Sequence, residues 1–373
     1  FDILFDTQEI NDKIELIITK AYEKYLANKS YKDSKTKIDK KKNLYAKKFA
    51  NDSTIHISRE GLFLGISKNK FVIKEFGKVQ NSFAMDKVNR IIIEGKGLIL
   101  STDVIKKAVE NSITIDFIDH NSISYASLIT HKSTVTQNIT KQAKVLETPL
   151  QLYLATQFIK GKAKNQINYL KYLDKYHKIL DDKISNMENI LEIKIPKALN
   201  ISELMGYEGS ISSIYWNSLR LVIEVPFEKR VTLGAKDIVN SSLNYAYAIL
   251  YGRVQHFLVH AGLSLNISFL HSIDGNKPTL TFDMIEEFRT FIVDRTIVSM
   301  LNKNEPIKLG NDGFLTKSSR QLISKNIKEK LGSYTMWKKE SIKIENIIQS
   351  QCYKLAQAID DNTKLYKPFI GKY

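Results

Sequence analysis

Three short segments carry the residue types that a phosphodiester chemistry needs. Glu208 lies in Gly206-Tyr207-Glu208-Gly209, His271 ends the run Ile267–His271, and Asp283, Glu286 and Glu287 crowd into Phe282–Arg289. A carboxylate between two glycines at a helix start stands open to a ligand, although an acid there also complements the helix dipole. A neutral imidazole ligates divalent ions well, although a histidine at the edge of an apolar run also serves as a hydrogen-bonded wall residue. Asp283 and Glu286 fall about one turn apart on one helix face, and Glu287 points about 100° away, toward solvent or a nearby cation. Two carboxylates side by side are unfavourable unless a cation or a proton separates them, and a divalent ion does so. Two carboxylates with one histidine form a mixed oxygen and nitrogen site suited to Mg²⁺ or Mn²⁺, which polarises a phosphoryl oxygen during in-line displacement. The nucleophile is water in cleavage, or a 3′-hydroxyl in strand transfer.

The remainder of the chain points to a polyanionic partner. Lys and Arg number 56 against 40 Asp and Glu, giving a formal charge of +16 and a pI near 9.4. Each phosphate neutralised by such a surface releases condensed counterions, although an AT-rich coding bias also inflates Lys and Asn. Arg220, Arg230, Arg253, Arg289 and Arg295 are candidate DNA contacts, and each is equally accounted for by an internal ion pair. Tyr245 and Tyr247 can stack on bases or fill the core. The single cysteine, Cys352, excludes an intrachain disulfide. No apolar run is long enough to span a bilayer and no secretory signal is evident, so a cytoplasmic protein without a membrane partner is expected. Zinc-type cysteine pairs, Gly-rich nucleotide fingerprints and internal repeats are absent from the sequence.

At 373 residues the chain predicts about two domains, and the patterning predicts an α+β protein in three parts. Residues 1–51 read as an amphipathic helix, with Ile10, Ile14, Ile17, Ile18, Tyr22 and Tyr25 at helical spacing, followed by a run holding nine lysines from Lys29 to Lys48. Residues 52–135 alternate at period two in short runs at 54, 62, 71, 89 and 113, which predicts a small β domain. Within it Asp103–Asn111 reads as a short helix capped by Thr102 or Asp103. Residues 136–373 read as a larger all-α domain, with helical runs at 150–188, 210–224, 237–261, 283–302, 318–331 and 340–360 and prolines 149, 196, 226 and 278 at their boundaries.

These segments, in this order, resemble the CRISPR-associated integrase of spacer acquisition, the Cas one family. The likeness runs from about residue 54 to the C-terminus. It rests on Ile57–Leu62, Ile91–Gly97 and Ile113–Asp119 in the β region, and on Lys162–Gln166, Gly206–Gly209, Asn240–Ala248, Ala261–Leu263, Phe269–His271, Phe282–Arg289 and Tyr366–Phe369 beyond it. The resemblance implies a β domain that mediates a homodimer and a helical catalytic domain. It also implies metal ligands at Glu208, His271 and Glu286, with Asp283 beside them as a supporting acid; many members carry Asp where Glu286 stands. By the same resemblance the activity is metal-dependent DNA integration and cleavage, in company with the small ferredoxin-like subunit Cas two. Some relatives are fused to a reverse transcriptase or a Cas-four-type nuclease, and residues 1–51 are read as the tail of such a fusion or as a lineage-specific helix. A non-catalytic DNA-binding scaffold and a transposon integrase remain the alternatives.

Overall fold

The computed structural model describes residues 53–373 except 95–96, 112, 119–123, 129–132 and 276. The expected helix and lysine run of residues 1–51 lie outside the described residues. Two compact units result, one ending at Ile115 and the other comprising Asp116–Tyr373. The division falls inside a strand, Thr114–Ile118, some way before the expected boundary at 135. Strand propensity shows that this segment is extended, not which unit it packs with.

The first unit is β-rich, as its alternation predicts. Strands β1 (Ser53–Ile57), β2 (Leu62–Ser67), β3 (Lys70–Glu75), β4 (Lys78–Ala84), β5 (Val88–Glu94) and β6 (Ile99–Leu100) precede helix α1 (Thr102–Glu110). β1 and β5 pair in parallel, burying Ile55, Ile57, Ile91 and Ile93. The others form a sheet in the order β4-β3-β2-β6, with Leu64 and Phe71 fully buried. Two-residue turns join β2 to β3 at Lys68-Asn69 and β3 to β4 at Phe76-Gly77, all four residues having positive φ. The mirror-image turn matches the right-handed strand twist, and Asn or Gly at its second position tolerates the left-handed backbone. The cap of α1 is Ser101, one residue before the expected Thr102 or Asp103. Its extended backbone lets its Oγ accept from the Val104 amide at 3.4 Å, whereas the next two residues are already helical.

The second unit is mostly helical. After β7 (Thr114–Ile118) and β8 (Ser124–Leu128) come α2 (Ser133–Val145), α3 (Pro149–His177), α4 (Asp181–Asn189), α5 (Ile201–Leu219), α6 (Ile238–His260), α7 (Thr279–Phe288), α8 (Arg295–Asn302), α9 (Lys317–Gly332) and α10 (Ile344–Asp360). Three helical expectations are corrected. The run 150–188 breaks at Lys178, whose φ of 54° ends α3 while Asp174 caps the Ile179 and Leu180 amides, each at 2.8 Å. The run 283–302 contains a π-helical turn, Arg289–Asp294, between α7 and α8. The region is also not all-α, because β9 (Tyr334–Trp337) and β10 (Glu340–Lys343) form an antiparallel hairpin before α10. Among the described residues no helix is long and apolar enough to cross a membrane.

Helix α3 is the spine of this unit. It opens with Pro149 at its first turn and Thr148 as cap, then packs against α5 and α7. Asn165, fully buried, faces the carbonyls of Gly161, Glu287 and Phe369 at 2.9 to 3.0 Å with its amide nitrogen and accepts from the Gly371 amide at 2.8 Å. The C-terminal segment is thereby tied to both α3 and α7. Closeness at this junction demands glycine: a Cβ on Gly161 would lie 2.7 Å from Pro368 Cβ and 2.9 Å from Glu287 Cβ. Gly206, in mid-α5, has nothing within 4 Å of that position. Helical propensity favours Ala at both sites by about 0.5–1 kcal/mol, but overpacking costs about 1–3 kcal/mol. Gly206→Ala is therefore expected to raise the melting temperature and Gly161→Ala to lower it, with opposite shifts in paired thermal scans as the check.

Candidate active site

Helix α5 begins after Asn200, whose side chain caps the Glu203 amide at 2.8 Å, so Glu208 stands in mid-helix rather than at the expected helix start. Its access comes from the neighbouring glycines, since neither Gly206 nor Gly209 has an atom within 4 Å of a would-be Cβ. α3 presents Lys162 opposite, and the ammonium contacts the Glu208 carboxylate directly. The same ammonium lies 2.9 Å from Glu286 Oε2 on α7. That approach lacks hydrogen-bond angularity, so Glu286 Oε2 is buried with an ionic contact but no hydrogen-bond partner. Arg289, one turn on, reaches Glu286 Oε1 at 3.2 Å, donates to the Tyr251 hydroxyl at 2.5 Å and stacks on the rings of Tyr247 and Tyr251. Burial alone would push the Glu286 carboxyl up; Arg289 and Lys162, with a smaller contribution from His271, more than reverse this and hold it below the usual carboxylate range. Burial likewise opposes the Lys162 charge, and Glu286 and Glu208 together overcome it, so its pKa is raised.

His271 sits in the loop between α6 and α7, within electrostatic reach of Glu286. Asp283, fully buried, accepts from the amides of Phe269 at 2.6 Å and of Leu270 and His271 at 3.0 Å each. Its Oδ1 also lies 2.8 Å from His271 Nδ1. In the neutral imidazole, Nδ1–H then donates to Asp283 and the lone pair is left on Nε2. Asp283 therefore supports the histidine and does not face the cation between Glu208 and Glu286. The T-shaped contact of His271 with Phe282, 6.0 Å between centroids, walls the ring on another side.

Other expected residues have different placements. Glu287 meets neither solvent nor a direct cation partner: it is fully buried, accepting from the Phe369 amide at 2.8 Å, the Tyr366 hydroxyl at 3.1 Å and Gln351 at 3.2 Å. Burial pushes its carboxyl up to about 7, with these donors opposing the rise. Its spacing from Glu286 says only that it faces elsewhere, and elsewhere is the C-terminal segment. Arg253 is buried in an ion pair with Glu345 and stacked on Phe257, which removes it as a DNA contact. Arg230 is held by Asn240 and Asn244 between the rings of Trp216 and Tyr247. Arg295 covers Tyr172 and Tyr373, and Arg220 is exposed at the end of α5. Tyr247 is core: its hydroxyl, with that of Tyr215, donates to buried Asp294. Lys162, Arg289 and Asn165 form the frame of the site, and of these only Arg289 was singled out by its charge. Lys162 is hidden among the many lysines of the sequence, and only its place in Lys162–Gln166 marks it.

Among the described residues, no three His, Cys, Asp or Glu side chains already surround one point closely enough to enclose an ion, and Lys162 stands between the two acids. The donors nevertheless fit a divalent ion in kind. Two carboxylates from separate helices share a single cation, one of their oxygens lacks a hydrogen-bond partner, and a carboxylate-oriented imidazole offers Nε2 nearby. A divalent ion held by Glu208, Glu286 and His271 would take the place of the Lys162 ammonium.

The chain is thus an α+β protein whose helical unit brings Glu208 and Glu286 from separate helices onto one ammonium. The family model described as CRISPR associated protein Cas1 matches residues 55–333. The chain belongs to that family. It is 26% identical over 322 residues to a CRISPR-associated endonuclease Cas1 of Francisella tularensis subsp. novicida, covering 85% of this chain and 98% of the relative. It is 30% identical over 346 residues to one from Archaeoglobus fulgidus, covering 84% and 98%. Its fold matches a casposase bound to integration product, with TM-score 0.69 and 19% identity over 86% of this chain and 94% of the other. It also matches a chain of a Cas6-RT-Cas1–Cas2 complex, with TM-score 0.70 and 17% identity over 86% of this chain and 36% of that one.

Asp283→Asn replaces an oxygen that receives the His271 proton with an amide or leaves an amide N–H unpaired. The expected outcome is a switch of His271 from the Nδ1–H to the Nε2–H tautomer, with about 1–3 kcal/mol of lost stability. Imidazole ¹⁵N chemical shifts together with a denaturant melt check both.

Proposed function

We propose that this chain is a metal-dependent DNA integrase and endonuclease of CRISPR adaptation, joining prespacer 3′-hydroxyl ends to repeat DNA by transesterification. The carrying observation is that Glu208 and Glu286, from different helices, converge on one partly buried cation, while Asp283 on the helix of Glu286 orients the His271 imidazole. Glu208, Glu286 and His271 Nε2 would hold Mg²⁺ or Mn²⁺, which supplies Lewis-acid polarisation of the scissile phosphate when bound. Asp283 keeps the imidazole turned and in the required tautomer. Arg289 keeps Glu286 ionised and places a fixed positive charge beside the reacting phosphate, where negative charge develops. Once released from the acids, Lys162 remains on α3 as a second cation for the same purpose. No ATP is needed, since one phosphodiester replaces another.

The partners follow the family. Integration by the casposase and the Cas1–Cas2 assembly, as those structures are named, support DNA and the small Cas2 subunit as partners of this chain. Homodimerisation through the β-rich unit, a cytoplasmic site of action, and a fused or associated reverse transcriptase or Cas-four-type nuclease belong to the same proposal. The casposase likeness favours a transposon integrase as the second reading, and Lys162, which pairs electrostatically with both acids, favours a DNA-binding scaffold as the third.

Glu208→Gln is expected to lower strand transfer by at least about a hundredfold, since even outer-shell changes at metal sites cost about 10–100-fold. Binding of duplex DNA should stay near the wild-type level. Gel assays with oligonucleotide ends and a repeat-bearing target measure both, and strand transfer by the variant at the wild-type rate would sink the assignment. Wild-type protein that binds duplex yet transfers no strand would favour the scaffold, and transfer independent of the repeat would favour the transposon reading.

A further inference from the structure

Three hairpins among the described residues close with two-residue turns in which both residues have positive φ: Lys68-Asn69, Phe76-Gly77 and Lys338-Lys339. The first two carry Asn or Gly at the second position, as this turn demands. The third carries neither. Lys338 and Lys339 adopt φ of 51° and 70°, a backbone that a long side chain takes up only at a cost in free energy. The protein therefore accepts local strain to present two adjacent ammonium groups at this one tip.

The tip is exposed and its base is fixed. Both lysines are solvent-exposed, and among the described residues no carboxylate pairs with either, although the Lys338 ammonium lies over the Trp337 ring at 5.2 Å from its centroid. The Ile344 amide closes the hairpin onto the Ser333 carbonyl at 2.9 Å. Trp337, the residue before the turn, packs against Phe369 with centroids 6.5 Å apart and lies 3.9 Å from Lys354 Nζ. Phe369 in turn donates its amide to Glu287, the neighbour of Glu286. The charged turn is thus mounted on the segment that buttresses the helix bearing Glu286.

We propose that the Lys338-Lys339 turn is a phosphate-gripping element of the nucleic-acid surface, one that holds the backbone of a DNA flank beside the reacting strand. The inference rests on the DNA reading above but not on the metal. Two paired charges at a rigid tip suit two phosphates of a polyanion, and such contacts position a duplex without reading its bases. An acidic protein surface is the other occupant of matching charge, and the salt response with DNA separates the two.

The test is a variant that improves the turn while deleting the charge. Lys338→Asn with Lys339→Gly installs the favoured Asn-Gly pair, and Lys338→Gln with Lys339→Gln removes charge while keeping long side chains. The Asn-Gly variant is expected to melt higher than wild type. Both variants are expected to bind a mixed-sequence DNA duplex more weakly, with the slope of log K against log salt reduced by up to about 2, or roughly 0.9 per lost phosphate contact. A raised melting temperature with unchanged affinity and slope would overturn the proposal, as would a lowered one, since the strain argument then fails. Unaltered DNA binding by the Gln pair overturns it independently. Wild-type protein without salt-dependent duplex binding would instead overturn the DNA reading itself, and the proposal with it.

Discussion

One ammonium group organises the helical unit. Lys162 projects from α3 into the space where α5 brings Glu208 and α7 brings Glu286. Withdrawing any one of these charges from water alone would be costly, and their mutual attraction, with Arg289 adding to it at Glu286, offsets that cost. Buried Glu286 keeps its charge because Arg289 and Lys162 face it, and the lysine keeps its own because the acids do. The three helices are therefore mutually dependent at this point in a way that apolar packing, which is indifferent to direction, does not impose. A divalent ion would satisfy the same constraint with one more unit of charge. That is the physical sense in which this centre is built for cations rather than for substrate carbonyls or apolar ligands.

Helix α7 distributes its acids among three tasks. Asp283 collects the amides of the Phe269–His271 loop, Glu286 faces the cations, and Glu287 receives the C-terminal segment through Phe369, Tyr366 and Gln351. A fourth acid, Asp294, closes the π-helical turn and is held by the hydroxyls of Tyr215 on α5 and Tyr247 on α6. The extra residue in such a turn changes which face the following side chains occupy. Burial pushes the Asp294 and Glu287 carboxyls up, and hydrogen bonds and nearby cations only partly offset this, while at Glu286 Arg289 and Lys162 more than reverse it. Position along one helix thus separates a charge-bearing acid from acids that serve as hydrogen-bond acceptors.

Much of the fold was legible from periodicity, because the alternating runs of the first unit and the apolar stripes of the second report which faces are buried. The elements that escaped were those whose signal is weaker than their context. Strand β4 is almost wholly exposed, and the β9–β10 hairpin lies between two helices with lysines at its turn, where Asn or Gly would have announced it. For the site, Glu208, His271 and Glu286 were recognisable as residue types in marked segments. Asp283 was expected as a supporting acid, but its partner His271 and the place of Glu287 at the C-terminal segment were not legible, since both are acids one turn or less from Glu286 and differ only in what tertiary structure places opposite them. Arg253 shows the converse: its charge suggested a partner outside the protein, and the partner is Glu345 on α10.

The same connectivity ties the chemistry to the far end of the chain. Gly161 and Asn165 let the C-terminal segment approach α3 closely, and Glu287 fixes that segment to α7. Lys162 and Glu286 are the immediate neighbours of Gly161 and Glu287 along the sequence, so the distance between the central ammonium and its carboxylate is set by how tightly the tail is clamped. Phe369 accordingly packs against the helix positions next to the site, where buried side chains at interior packing density have little void into which to relax. The tail is thus a structural determinant of the site.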